Sequence, residues 1–104
     1  MSRGPDAATL LERRLVASAA AAGCAIAVVS TDWTPWASAT FNGACHELRI
    51  ALPARAAAEA WLADLPEADL PLAGHLVADI AVVSADRSNA GIDARIEALS
   101  VAVA

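Results

Sequence analysis

Few side chains in this sequence have chemistry to offer, and their spacing limits what they could do. Cys45 and His46 are chain neighbours in a segment that alternates polar and apolar residues. Neighbours on a strand point to opposite faces, so this pair cannot work together as nucleophile and base. They read as a small apolar Cys and a strand-end His. His46 and His75 could meet only if their strands or strand ends lie side by side, and two histidines alone are weak grounds for zinc. Asp32 and Asp86 close two copies of one word: residues 26–32 read IAVVSTD and residues 80–86 read IAVVSAD. Two carboxylates at one sheet end could hold a cation or divide acid and base roles. The simpler expectation is that each caps the turn after its own strand. With no glycine-rich phosphate loop, GxSxG elbow or HExxH, no catalytic residue, metal ligand or cofactor is assigned.

Residues 32–43, DWTPWASATFNG, hold three of the four aromatic side chains. Asn42-Gly43 is the strongest tight-hairpin signal in the chain, and Thr34-Pro35 marks another turn. The segment is expected to be a long projecting hairpin arm rather than an extra strand. Trp33, Trp36 and Phe41 then either fold back onto the sheet as core or stand together as a contact surface. They are the candidate binding residues, with Asp32 and His46 added if the arm and the sheet enclose a pocket. Trp61 falls in an apolar helical stripe and reads as core.

The elements that position these residues follow from periodicity. After a short tail at residues 1–5, Asp6 can cap a helix, and Ala8, Leu11, Leu15, Ser18, Ala19 and Ala22 recur on one face up to the stop at Gly23. This predicts a helix over 7–22. A strand over 24–31 and an alternating strand ending at Leu52 follow. Pro53 reads as the first residue of a second helix, with an apolar stripe at Ala58, Trp61, Leu62 and Leu65 and a stop at Pro66. Strands are then expected over 75–85 and 93–102, the last with a β-bulge near Ala98 where the alternation slips. Outward residues of the third strand are expected to be Val77, Asp79, Ala81 and Val83.

The expected fold class is thus α+β, an αββ unit duplicated over about 6–52 and 53–104 within one domain. Its four-stranded antiparallel sheet would carry both helices on one face, a circular permutation of the ferredoxin-like arrangement. That likeness is topological and brings no functional residues with it.

Composition narrows the function classes. The 104 residues are 58% hydrophobic but only 4% aromatic, because the apolar content is largely Ala. Small side chains bury little area each, which favours a homo-oligomer, expected as a dimer. A formal net charge of −5 with no lysine argues against nucleic-acid partners. Arg13-Arg14 ahead of an apolar run ending near Cys24 superficially suggests a secretion signal. Asp6 and Glu12 stand where such a signal carries only positive charge, and the run is too short for a membrane span. Two unpatterned cysteines suit a reducing cytoplasm. The expectation is a cytoplasmic interaction or oligomerisation domain, with a possible protein partner, that uses the aromatic arm. The alternatives are a small-molecule binding domain with a pocket between arm and sheet, then a small hydrolase or isomerase.

Overall fold

The computed structural model describes residues 6–103, so the expected tail at 1–5 lies outside the described residues. Helix α1 (Ala7–Ala21) begins at Asp6, whose carboxylate accepts the Thr9 amide at 2.8 Å. Leu11, Leu15 and Ala19, four residues apart, are buried. At its end Gly23 adopts φ +82°, donating to the Ala20 carbonyl while Cys24 donates to that of Ala19. This Schellman closure folds buried Cys24 back under the last turn.

Strands β1 (Ala27–Ala37) and β2 (Asn42–Leu52) form the first hairpin, and β3 (His75–Ser88) and β4 (Gly91–Ala102) the second. Between them, α2 (Ala56–Asp64) runs into a 3-10 turn at Leu65–Glu67. Arg55 is its N-cap, so Pro53 stands ahead of the helix rather than at its first position. Pro66 lies within the 3-10 turn, after α2 has ended. The sheet is antiparallel in the order β1-β2-β4-β3. The architecture is α+β, with two helices and a four-stranded antiparallel sheet.

Alternation decides which residues carry the core. On β2 and β4 the even-numbered side chains from Ala44 to Leu52 and from Ile92 to Ser100 are buried, while most of the odd-numbered ones are exposed or half-buried. Leu48, Ile50, Ile92 and Ile96 meet Leu11 and Leu15 of α1 and Ala58, Trp61 and Leu62 of α2 in one cluster. The Trp61 indole donates to Ser18 Oγ at 3.0 Å, tying the helices together.

The bulge expected in β4 is not there. β4 keeps strict alternation, and the break read near Ala98 arises because inward Ser100 is polar while outward Leu99 and Val101 are apolar. The bulges sit on the edge strands, at Val28/Ser30 in β1 and at Val77/Asp79 and Val82/Ser84 in β3. Edge strands have one free side on which an extra residue disturbs no ladder, and a bulged edge resists pairing with other chains. The bulges shift parity, so Val77 packs against the core and the outward set of β3 becomes Leu76, Asp79, Ala81, Ser84 and Asp86. In both copies of the repeated word the bulge falls at the second valine, leaving Val29 and Val83 exposed. Ile26, Val28 and Val82 pack against the core beside buried Ile80.

The face away from the helices is charged rather than apolar. One cross-strand row reads Ser30, Arg49, Arg95, Ser84, and the next reads Asp32, Glu47, Glu97, Ala81. Arg49 bonds Asp93 at 2.7 Å and Arg95 approaches Glu47 at 3.5 Å. Among the described residues no helix is long and apolar enough to cross a membrane.

Candidate functional site

The aromatic segment forms the far end of the first hairpin, continuous with both strands. Pro35 pairs with Ala44 and Trp36 with Gly43, so neither Thr34-Pro35 nor Asn42-Gly43 is the turn that its sequence suggests. Pro35 is tolerated because β1 is an edge, where a missing N–H is not missed. The chain reverses at residues 38–41. There the Ser38 amide donates to the Phe41 carbonyl at 2.7 Å, and the Ser38 hydroxyl accepts the Phe41 amide at 3.0 Å. A serine closing its own turn displaced the Asn-Gly signal.

Gly43 serves a different need, a close approach of backbone. A Cβ there would lie 1.9 Å from the Ser100 carbonyl oxygen and 3.0 Å from the Trp36 indole nitrogen. The absent side chain lets Trp36 cross β2 and donate its Nε1–H to that carbonyl at 3.2 Å. Trp36 is therefore a structural strut with part of its ring covered. Trp33 and Phe41 are 47% and 56% exposed, which removes the reading of the arm as core.

The arm extends β1 and β2 beyond the first turn of α1, so the inner sheet face is roofed only partly there. The result is an open hollow of about 570 Å³, within the size range of small-molecule sites. Ala44, Ser100 and Ala102 make its floor, Trp33 and Pro35 one wall, His75 another, and Asp6 with Ala7 and Ala8 the helical rim.

His46 lies beside this floor rather than on the surface. It is 2% exposed, and its Nε2 is 2.8 Å from Ser100 Oγ, which also approaches the Ala44 carbonyl at 3.4 Å. The hydroxyl has one proton for two neighbours. When it serves Ala44, His46 Nε2 carries the hydrogen and Nδ1 is a bare acceptor. Nδ1 of His46 and of His75 are both buried without a partner among the described residues. Burial pushes the His46 pKa below its ordinary value, with Asp6 opposing that shift and His75 adding to it. The amide and side-chain bonds from Thr9 hold the Asp6 carboxyl below its usual range. The hollow is thus edged by one carboxylate and floored beside a neutral imidazole.

This burial has a measurable consequence. The unfolded chain takes up the His46 proton near pH 6.5, before the folded chain does. Stability should therefore be constant above that pH and decline as pH falls below it. His46→Leu should flatten the slope of unfolding free energy measured between about pH 7 and 5. An unchanged slope in that variant would assign the acid sensitivity to other groups.

The remaining candidates separate. Asp32 faces the charged side, pairs with Glu47 and accepts the Trp33 amide at 2.9 Å, so it caps its own backbone and lines no part of the hollow. Asp86 pairs with Asp93 in a different row across the sheet, so the two word-ending carboxylates do not share one end. Cys45 is exposed on the charged side while His46 is buried on the other, as alternation requires, and Cys24 and Cys45 are unbridged. Among the described residues no group of three His, Cys, Asp or Glu could hold a metal. Sequence reasoning missed Ser100, His75 and Asp6 as neighbours. The slipped parity at Ser100 was the signal that could have found the first. The chain matches no protein-family model, no curated protein and no solved structure, which leaves its own residues to argue for function.

Proposed function

We propose that this chain is a small interaction module that self-associates as a homodimer through its arm end. The observation that carries the reading is the gathering of exposed apolar groups there. Phe41 sits in the arm's turn, Trp33 on the inner face of the arm, Leu76 on the outer face, and Val103 at the same end of the sheet. Each is about half exposed, between 47% and 57%. Apolar residues clustered in this way mark contact surfaces, and aromatic anchors dominate the energetics of such surfaces.

Charge argues against the alternative contact. The face away from the helices presents six carboxylates (Asp32, Glu47, Asp79, Asp86, Asp93 and Glu97) against the two guanidiniums of Arg49 and Arg95. Apposing two such faces would bring like charges together. Toward the arm end the charge thins out, to the single carboxylate of Asp79 in the row Thr34, Cys45, Leu99, Asp79 and to none in the row Trp36, Gly43, Val101, Leu76, so a second copy meets less repulsion there.

The same proposal includes descent by duplication, with the αββαββ order read as a permuted ferredoxin-like domain. Equivalent bulges in the two words support it, as do the matched Arg49–Asp93 and Arg95–Glu47 pairs across the central strands. It also includes residence in the cytoplasm, supported by two unbridged thiols. Sedimentation at rising concentration tests the association. The wild type should dimerise, and a Trp33→Ala, Phe41→Ala variant should dissociate at concentrations about tenfold higher or more, the loss expected of central aromatic anchors. A wild type that stays monomeric ends the reading. A dimer indifferent to both substitutions moves the contact elsewhere.

A further inference from the structure

The hollow on the inner face shares Trp33 with the exposed arm end but has its own chemistry. We propose that it binds a small aromatic amine, a flat apolar body with a protonated amino group. Three observations point that way. The volume of about 570 Å³ accommodates a fused two-ring molecule, and the lining residues Ala44 and Ala102 are small. The Trp33 and Pro35 wall offers flat apolar surface against which a ring can stack, and an indole face also attracts cations.

The third observation is the sign of the charge at the rim. Asp6 stands at the rim and is held in its ionised form by the Thr9 amide, which donates to Oδ1 at 2.8 Å, and by the Thr9 side chain. The carboxylate is exposed, and its four lone-pair sites leave room to accept from an ammonium group as well. His75, on the opposite wall, adds an imidazole nitrogen with no partner among the described residues, none of which brings an arginine to the lining. The chain's net charge of −5 further favours a cation over an anion on approach.

Tryptamine and indole-3-acetate provide the test, because they share one ring system and carry opposite charges. Amide chemical shifts of the labelled protein should move on adding tryptamine at Ala7, Trp33, Ala44, His75 and Ser100. Indole-3-acetate should bind at least tenfold more weakly. Asp6→Asn keeps a good helix cap and removes the charge, so tryptamine affinity should fall by roughly five- to tenfold with α1 intact. Ala7→Trp fills the rim from the helix side, away from the arm patch, and should abolish binding without changing the sedimentation behaviour. The proposal is overturned by equal binding of the two compounds, by shifts confined to other surfaces, or by no shifts up to the solubility of tryptamine. Self-association is measured without either compound, so the two readings fail independently.

Discussion

Gly43→Ala is expected to destabilise the chain by about 3 kcal/mol, the upper end of what overpacking costs. Backbone meets backbone at this position: the new methyl carbon would lie 1.9 Å from the Ser100 carbonyl oxygen, in a strand that cannot retreat without breaking its pairing with β2. Most glycines are sensitive for another reason, and Gly74 provides the contrast. It sits at φ +77°, and a methyl carbon added there would have nothing within 4 Å, so Gly74→Ala meets only left-handed strain of roughly 1–2 kcal/mol. Urea denaturation of the two variants should therefore rank Gly43→Ala as clearly the weaker protein. The same substitution should also free the Trp36 indole, whose bond to Ser100 depends on the close approach, and raise its exposure to a fluorescence quencher. Equal midpoints for the two variants would show that β4 yields at Ser100.

That glycine also shows why part of the architecture was legible in the sequence and part was not. Helix α1 could be read almost to the residue, because Asp6, the four-residue spacing of Leu11, Leu15 and Ala19, and Gly23 are all local signals. The alternation of β2 likewise put His46 and Cys45 on opposite faces. Asn42-Gly43 misled because a short motif states what a backbone can do, not what its neighbours require. Ser38 closed the turn, which left Gly43 for a contact with a strand 57 residues away in sequence. The bulges were misplaced for a related reason. A parity slip in β4 has two explanations, an extra residue or a polar residue turned inward, and choosing between them requires the partner of Ser100. That partner, His46, lies on another strand. The hollow was least legible of all. It arises from the mismatch between the length of an arm and the starting point of a helix, which no single segment encodes.

Ser100 and His46 carry the last expectation, which concerns why a polar pair lies next to this apolar floor at all. Ser100→Ala removes the only partner of His46 Nε2 among the described residues and leaves both ring nitrogens buried without a bond from them, at a cost of about 2 kcal/mol. Adding His46→Leu removes the stranded ring and substitutes an apolar side chain of similar size beside Leu48 and Ile96. Replacing both members of a buried polar pair is often close to neutral, so the double variant should recover to within about 1 kcal/mol of the wild type. It should also lose the part of its acid sensitivity that comes from His46, since that buried imidazole is no longer there to be protonated on unfolding. Thermal or urea unfolding of the two single variants and the double variant gives the coupling directly. Additive losses would mean that the two side chains are uncoupled and that each stabilises the fold through separate contacts. Recovery in the double variant would mean that packing alone is served as well by apolar residues. The imidazole and hydroxyl would then belong with the hollow beside them, and the double variant, stable but apolar beneath Trp33, would be the protein in which to measure what that hollow has lost.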